Sequence, residues 1–441
     1  MVSTNILIIE KLNAFLNEII SQKEKRELYV FSSTDFTRNR SLSIRIVILL
    51  ILNQLKRSLS IELESFFSSI GKSVVTKSAF SQQRQKLKPS FFKSWNNVLT
   101  NSLYEHGNKQ LTYWNGYRLL AIDGTTITLP DTPDLREYYG QSGNKHGANL
   151  VTGRVSILYD VLNKIVIQGC LEPKKVSERK MARNLIDQVG KGDLLLFDRG
   201  YPSFELFYLL QQQNCKVVMR ARADFNKIVE EFALSDRRDD ILEIPATYKA
   251  IKGLQEKNIS IDESERIKLR VVKITLNTGE EEILITNLYD YQVYNPEKLK
   301  KLYALRWPIE TFYGYLKNEL QVECFSGIKQ VCIEQDFYSS LFLFNLQCLI
   351  EKQSDKYLQF INRKRKITYK INKNVSWALL KDRIIQIFLY QNDIQRILLQ
   401  LQALFERYLE SVRPDRKYPR IKKAIKINGK YHTLSNYKRA I

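Results

Sequence analysis

The sequence predicts an α/β protein: a mixed β-sheet with a β-rich insertion, flanked by helical regions at both ends of the chain. Three observations support this fold class. Apolar residues recur at helical spacing through residues 1–110, the pattern becomes strand-like from about residue 116, and residues 225–300 form a second strand-rich stretch of different charge. The 441 residues are enough for several domains with buried cores.

Residues 1–110 predict a helical domain, and residues 60–87 within it have the outline of a helix-turn-helix. A short helix precedes a turn at Gly71, and Thr76 is placed to cap a second helix. The second helix is rich in polar and basic side chains, namely Lys77, Gln82, Gln83, Arg84 and Lys86. Such a helix is suited to contact DNA, and the alternative is a solvated helical hairpin.

From residue 116 the chain alternates strands and helices in the order β-β-β-α-β-α-β. Strands are predicted at residues 118–129, 151–159, 165–171, 193–197 and 215–220, and helices at residues 176–189 and 204–213. The residues between the second and third strands indicate a hairpin connection. This order predicts a mixed sheet with an antiparallel start.

The next region, residues 225–300, differs from the rest of the chain in charge. It holds 15 acidic and 12 basic residues, although the whole chain has a net charge of +22. Alternation on both sides of Asn277, Thr278 and Gly279 predicts a hairpin, so we interpret this region as a β-rich insertion. After it, most of the chain to about residue 409 is predicted to be helical.

The net charge of +22 is typical of a soluble protein that binds a polyanion, most often nucleic acid. Residues 361–441 alone hold 20 Lys or Arg and 5 Asp or Glu. Two basic runs stand out there, one at residues 413–423 and one formed by Arg363, Lys364, Arg365 and Lys366. Tyrosines among these charges favour a segment that lies along a phosphate backbone; the alternative is a solvated surface or disordered tail.

The sequence argues against a membrane protein, a secreted protein and a zinc-dependent enzyme. No apolar run is long enough to span a bilayer, and the N-terminus lacks the pattern of a signal peptide. Five cysteines are scattered without a C-x-x-C pair, and three histidines lie far apart. We therefore expect a cytoplasmic protein with reduced thiols and no membrane association.

Two aspartates are candidates for chemistry. Asp123 and Asp198 each follow an apolar strand, and a glycine follows each of them closely. We expect both at the same edge of the sheet, where α/β proteins usually hold ligands. Neighbouring carboxylates repel one another, and a divalent cation such as Mg²⁺, which prefers oxygen ligands, would relieve the repulsion. The alternative for each is an aspartate that caps a turn.

A third carboxylate is predicted at Glu310, within a Y-x2-R-x3-E-x6-K spacing. Arg306, Glu310 and Lys317 fall near one helical face, which would offer a carboxylate and two cations, and Tyr303 adds a phenol. Pro308 belongs in the first turn of a helix, so Tyr303 is expected on a preceding turn. The alternative is an ordinary Arg–Glu pair on a surface.

Taken together, these residues resemble the DDE transposases of bacterial insertion sequences, in the group defined by the Y-R-E-K signature. The resemblance rests on Asp123, Asp198 and Glu310 in this order, on the Y-R-E-K spacing, and on the long insertion between the second and third acids. It covers roughly residues 35–440. The resemblance implies a ribonuclease H-like catalytic core formed by residues 116–224 and 300–350.

The resemblance also implies the chemistry. The three acids would be catalytic and would hold two Mg²⁺ ions, with Mn²⁺ as a possible substitute, for cleavage of the ends of a DNA element and strand transfer to target DNA. Residues 1–110 would bind the element ends, and residues 351–441 would form a helical, basic C-terminal region. The partners would be double-stranded DNA, as terminal inverted repeats and target, and a second copy on paired ends. The protein would act at the nucleoid.

Further DNA contacts follow from the same resemblance. Tyr303, Arg306 and Lys317 would grip phosphates at the terminal nucleotides, and Trp307 would stack on an unpaired base unless it fills the core. Arg199 would hold a phosphate or pair with a carboxylate. Two other functions stay open: another ribonuclease H-like nuclease, and a catalytically silent or domesticated DNA-binding protein.

Overall fold

The fold is described from a computed structural model. It describes residues 2–38, 40–53, 56–107, 110–143, 149–276, 278–391, 393–413, 426–427 and 430–431. Most of the basic run at residues 413–423, together with Tyr418 and Tyr437, lies outside the described residues.

The N-terminal region is helical. Its helices are α1 (Val2–Ser21), α2 (Lys23–Glu27), α3 (Ile44–Leu52), α4 (Leu59–Ser69), α5 (Lys77–Arg84) and α6 (Ser90–His106). Helix α3 is apolar at nearly every position and almost wholly buried. Trp95 of α6 stacks on Phe342 of α14 (Gln330–Glu351), with ring centroids 4.3 Å apart. The N-terminal helices therefore share a core with the C-terminal half of the chain.

The predicted helix-turn-helix outline is present in α4 and α5. Gly71 takes a φ of +64° between them, a conformation that glycine adopts without strain. Thr76 caps α5, because its hydroxyl accepts a hydrogen bond of 3.1 Å from the amide of Ala79. Arg84, one of the basic side chains of the predicted second helix, does not face solvent. Its guanidinium is buried and pairs with Asp336 of α14 at 2.9 Å.

The central sheet follows the predicted order. Its first part comprises β1 (Arg118–Thr128), α7 (Pro133–Tyr139), β2 (Gln141–Gly143), β3 (Asn149–Asp160), β4 (Ile165–Pro173), α8 (Glu178–Leu185), β5 (Asp193–Phe197), α9 (Phe204–Gln212) and β6 (Lys216–Ala221). Strand β3 lies antiparallel between β1 and β4, and β1, β5 and β6 run parallel. This mixed arrangement is consistent with a ribonuclease H-like fold. The short elements α7 and β2 were not predicted.

The insertion extends this sheet. It contributes α10 (Lys227–Leu234), β7 (Asp239–Pro245), α11 (Tyr248–Gln255), β8 (Arg266–Thr275) and β9 (Glu281–Thr286). Strand β9 pairs antiparallel with β6, so the sheet continues in the order β6-β9-β8-β7. The predicted hairpin is the β8–β9 pair, although Asn277 lies outside the described residues.

The remaining elements are mostly helical. They are α12 (Pro296–Ala304), α13 (Pro308–Asn318), α14, α15 (Asp355–Lys364), β10 (Tyr369–Ile371), α16 (Lys373–Lys381), a π-helical turn (Gln386–Tyr390), α17 (Ile394–Arg407), β11 (Leu409–Ser411), β12 (Lys426–Ile427) and β13 (Lys430–Tyr431). Helix α14 is almost completely buried, and several of its polar residues find partners in other elements: Asn345, for example, donates to the carbonyl oxygen of Val166 at 2.7 Å. Within the described ranges, no helix is both long and apolar enough to cross a bilayer.

Candidate active site

The register of two parallel strands brings Asp123 and Asp198 to the same level of the sheet. The last pair between β1 and β5 joins Ile122 to Phe197, and the two aspartates follow these residues directly. Asp198 lies just past the end of its strand, as expected. Asp123 does not, because β1 continues to Thr128 through its antiparallel pairing with β3. At Asp123, β1 is therefore still paired with β3 but no longer with β5.

Arg306 joins two of the three acids. Its Nη2 donates to Oε1 of Glu310 at 2.5 Å, and its Nη1 lies 3.6 Å from Oδ2 of Asp123. The geometry arises because α13 begins at Pro308, whose missing N–H costs nothing in the first turn. Arg306 lies in the turn before the helix, and Glu310 lies in its first turn. The pair is therefore a buried link to Asp123 and not an isolated surface pair.

Tyr303 belongs to the preceding helix, α12, as the position of Pro308 predicts. Its hydroxyl lies 3.5 Å from Oδ1 of Asp198, and the guanidinium of Arg306 lies 5.8 Å from the centre of its ring. Burial raises the pKa of the Tyr303 hydroxyl, which therefore stays protonated at neutral pH. Tyr303 at the end of α12 and Arg306 in the following turn thus link all three acids: Tyr303 contacts Asp198, and Arg306 contacts Asp123 and Glu310.

The surroundings of Asp123 favour its protonated form. The pKa of its carboxyl is raised to about 6, mainly by burial and to a smaller extent by the charges of Asp198 and Glu310. The amide of Gly124, which donates to Oδ1 at 2.9 Å, and the guanidinium of Arg306 act in the opposite direction. The site therefore carries an excess of negative charge that the chain only partly neutralises.

Lys317 lies on the same helix as Glu310 but contacts β1. Its Nζ donates to Oγ1 of Thr125 at 2.9 Å and to the carbonyl oxygen of Thr126 at 2.7 Å. On the same helix, Tyr313 donates to the carbonyl oxygen of Asp123 at 2.6 Å. Sequence reasoning missed Tyr313, although its position three residues after Glu310 on an inward helical face was a usable signal. These bonds fix α13 against the strand that carries Asp123.

Trp307 and Arg199 are exposed beside this site. Trp307 exposes 61% of its surface, so the alternative that it fills the core is wrong. Arg199 follows Asp198 and points to solvent, and within the described ranges it forms no ion pair with a carboxylate. Both side chains are accessible to a ligand without rearrangement of the core.

The basic run from Arg363 to Lys366 lies elsewhere, at the end of α15. All four side chains are exposed. Lys364 lies 4.0 Å above the ring of Phe360, and Arg365 lies 4.7 Å from the centre of the Tyr369 ring. Phe360 and Tyr369 therefore contact the cationic side chains directly, and together they form one basic and aromatic surface patch.

The donor set suits a divalent cation. Carboxylate oxygens are the ligands that Mg²⁺ and Mn²⁺ prefer, and three carboxylates face a single guanidinium here. Asp123, Asp198 and Glu310 are the residues that would hold it. Arg306 lies between Asp123 and Glu310. Among the described residues, no three Asp, Glu, His or Cys side chains lie close enough together to coordinate one metal ion.

The chain is similar in sequence to known transposases. Transposase InsG of insertion sequence element IS4 from Escherichia coli strain K12 is 24% identical over 241 residues, which are 53% of this chain and 52% of that protein. The transposase of element IS231C from Bacillus thuringiensis subsp. berliner is 24% identical over 271 residues, 52% of this chain and 55% of its own. The chain thus spans about half the length of these curated relatives.

Among solved structures, the piggyBac transposase in a synaptic complex with hairpin DNA overlaps 91% of this chain and 81% of its own, at 10% identity and a TM-score of 0.43. A family profile described as "Transposase DDE domain" matches residues 114–346, a range that begins before β1 and ends within α14. That range includes Asp123, Asp198 and Glu310, and the chain belongs to the DDE transposase family.

Proposed function

We propose that this protein is the DNA transposase of a bacterial insertion sequence, and that it cleaves the element ends and transfers the freed strand to target DNA in a metal-dependent reaction. The observation that carries the proposal is the meeting of three acids inside the matched family range. Asp123 and Asp198 are level on neighbouring strands, and Glu310 is joined to Asp123 through Arg306.

The proposed reaction is in-line displacement at phosphorus. Water attacks a phosphodiester and the P–O3′ bond breaks, which frees a 3′-hydroxyl. That hydroxyl then attacks a target phosphodiester, where a new P–O3′ bond forms, the target's own P–O3′ bond breaks and the target 3′-hydroxyl leaves, so no covalent bond to the protein is needed. Two Mg²⁺ ions, or Mn²⁺ in their place, would be held by Asp123, Asp198 and Glu310 and would supply nucleophile activation and charge stabilisation. Asp123 has to lose its proton for this role, and its pKa of about 6 makes that possible at neutral pH.

Four side chains around the acids are suited to hold DNA. Tyr303, at the end of α12, and Arg306, in the turn that follows, would meet the phosphate at the cleaved end, and Lys317 would neutralise the adjoining backbone. Arg306 is the strongest of these, since its planar fork can hold a phosphate with two hydrogen bonds. Trp307, which is exposed beside Arg306, would stack on an unpaired terminal base.

More distant regions would set the path of the DNA. Arg199 and the run Arg363 to Lys366 would contact phosphates, and residues 1–110, with the hairpin at residues 60–87, would bind the element ends. Within that hairpin Lys77 is exposed, whereas Arg84 is buried and is withdrawn from the DNA surface. We place the working form as a homodimer on two paired ends, at the nucleoid in the cytoplasm.

The test is cleavage of the DNA that flanks the coding sequence. The full-length protein is incubated with labelled flanking DNA and Mg²⁺, with Mn²⁺, or with EDTA. The proposal expects a cut at one boundary on each side, only with metal, followed by joining to an added plasmid. Binding of both flanks without a cut would instead support a catalytically silent DNA-binding protein. Cutting without a defined boundary would support another nuclease of the same fold.

A further inference from the structure

We propose that Lys56 is a positioning residue for DNA cleavage: it fixes the loop of residues 319–329 and, through that loop, the helix α13 that carries Glu310. The inference rests on the proposed function, because it concerns how the acids of that site are placed relative to the bound element end. Nothing in the sequence singles Lys56 out, since it is one of 69 lysines and arginines and belongs to no motif.

The ammonium of Lys56 joins the N-terminal region to the loop that follows α13. Its Nζ donates to the carbonyl oxygen of Gln321 at 2.9 Å and to the carbonyl oxygen of Cys324 at 3.0 Å. Within the described ranges it forms no ion pair with a carboxylate, and burial lowers its pKa to about 8. At neutral pH it is therefore still a cation, and hydrogen bonds from a charged donor are stronger than those from a neutral one.

The loop needs an anchor, because part of its backbone has an unfavourable conformation. Gln321 has a φ of +48°, in the left-handed region that residues other than glycine adopt at a cost in energy. Such a conformation persists only where surrounding contacts hold it. Lys56 binds the carbonyl group of this same residue, so the anchor lies at the strained point of the loop.

The same loop reaches the strand of the catalytic acids. Between the two residues that Lys56 holds, Glu323 accepts a hydrogen bond of 2.8 Å from the amide of Thr128, the last residue of β1. Strand β1 carries Asp123, and the helix before the loop carries Glu310. Lys56 therefore holds the segment that joins the end of α13 to the end of β1.

On its other side, Lys56 is fixed to the hairpin that is proposed to bind the element end. Glu62, in the first turn of α4, accepts hydrogen bonds from the amides of Lys56 at 3.0 Å and Arg57 at 2.9 Å. From α5, Arg84 donates to the hydroxyl of Ser326 in the same loop at 2.6 Å. Both helices of the hairpin are thus seated on the loop after α13, which sets the distance between a bound DNA end and the acids.

Cleavage depends on that distance. A displacement of reacting groups by about 1 Å can slow catalysis by up to about a hundredfold. Removal of the Lys56 ammonium would free the loop without removing any group that touches DNA or metal. We therefore expect the rate of the bound complex to fall while the affinity for DNA is kept.

The test measures single-turnover cleavage of the flanking DNA by the full-length protein at increasing protein concentration, which separates the saturating rate from the half-saturating concentration. The variants are Lys56→Met, which removes the ammonium, and Lys56→Arg, which keeps the charge and the donors. Lys257→Met is the matched control, because Lys257 likewise joins distant segments, with bonds to the carbonyl oxygen of Arg183 at 2.9 Å and to Asp187 at 2.6 Å. Thermal unfolding shows that each variant is folded, and hydrogen exchange of residues 319–329 reports on the loop itself.

We expect Lys56→Met to lower the saturating rate about tenfold with an unchanged half-saturating concentration, and Lys56→Arg to restore most of the rate. Lys257→Met should cleave at the wild-type rate. Hydrogen exchange in residues 319–329 should become faster in Lys56→Met and not in Lys257→Met.

Three results would overturn the inference. Lys56→Met could cleave at the wild-type saturating rate, or it could lose only affinity, in which case Lys56 is a DNA contact. Equal losses of rate in Lys56→Met and Lys257→Met would assign the effect to stability alone. If wild type itself does not cut, the proposed function fails, whereas cutting by wild type that Lys56→Met fully retains removes only this inference.

Discussion

Nη1 of Arg306 lies 3.6 Å from Oδ2 of Asp123, so a cation of the chain itself faces a carboxyl whose pKa burial raises to about 6. The other nitrogen of the same guanidinium holds Glu310 at 2.5 Å. One side chain therefore neutralises part of the charge that the carboxylates of Asp123 and Glu310 would otherwise carry. We therefore expect the free energy of unfolding to depend on the charges of Arg306 and Asp123.

Removal of Arg306 should destabilise the metal-free protein. Arg306→Gln leaves Asp123 and Glu310 without their cation in a largely buried place, so we expect a loss of about 2 kcal/mol in the free energy of unfolding at pH 7. Urea denaturation measures it. Arg199→Gln, an exposed arginine beside the same site, is the control and should change stability little; equal losses in the two variants would contradict the account.

Asp123 should make the metal-free protein less stable as the pH rises. Its pKa is about 6 when folded and near 4 when unfolded, so between these values the folded state binds more protons. The stability supplied by this group is present below pH 4 and is lost as the pH rises through 6. We therefore expect Asp123→Asn to stabilise the metal-free protein by about 1–3 kcal/mol at pH 7.5.

Comparison of wild type with Asp123→Asn at lower pH tests whether the change in stability comes from the charge of Asp123. Near pH 4 the carboxyl of wild-type Asp123 is already protonated, so the advantage of Asp123→Asn should disappear. Thermal unfolding in EDTA at pH 4, 6 and 7.5 measures both proteins. An advantage of the same size at all three pH values would show that the substitution acts through packing and not through charge.

Arg84 should matter for folding and not for DNA. Its guanidinium is buried and bonds Asp336, Gln335 and Ser326, so Arg84→Ala leaves an unpaired buried carboxylate and should cost about 3–5 kcal/mol. Lys77→Gln on the exposed face of the same helix should cost little stability. If α5 contacts DNA, Lys77→Gln weakens DNA binding in a gel-shift assay; a stable Arg84→Ala protein would contradict the buried pairing.

The basic patch on α15 should bind DNA without regard to sequence. The triple variant Arg363→Gln, Lys364→Gln, Lys366→Gln should reduce the slope of log affinity against log salt by up to about 3, for any DNA. The matched control neutralises three exposed lysines of the insertion, Lys227, Lys249 and Lys252. If both triple variants have the wild-type slope, the patch on α15 lies outside the DNA footprint.

Trp307 should contribute to the binding of cleaved DNA ends and not to the binding of uncut DNA. Because its side chain is largely exposed, Trp307→Ala should leave the unfolding temperature unchanged. Loss of stacking on a terminal base should weaken binding of a pre-cleaved end by about 1–3 kcal/mol, and binding of uncut DNA much less. Fluorescence anisotropy with both DNAs measures the difference. Equal weakening with the two DNAs would argue against stacking on a free end.

The parts of the site that the sequence predicts depend on local rules. Strand order follows from the period of apolar residues, the α5 cap follows from Thr76, and the start of α13 follows from Pro308. The side-by-side placement of Asp123 and Asp198 follows from the parallel pairing of the strands before them.

The parts that the sequence does not predict depend on distant partners. Arg84 has the same local pattern as an exposed helix residue, and only its packing against Asp336 in α14 buries it. The strand predicted at residues 118–129 includes Asp123, but the sequence does not show that β5 stops pairing at Ile122 while β3 continues to Thr128.

The most direct test of the central claim is the cleavage rate of four proteins on the same flanking DNA: wild type, Asp123→Asn, Asp198→Asn and Glu310→Gln. Each is first shown to bind that DNA, and cleavage is then measured under single-turnover conditions with Mg²⁺. The account predicts that wild type cuts at the element boundary and that each substitution abolishes cutting while binding persists. Cutting that survives the loss of any one of these acids would show that the active site lies elsewhere.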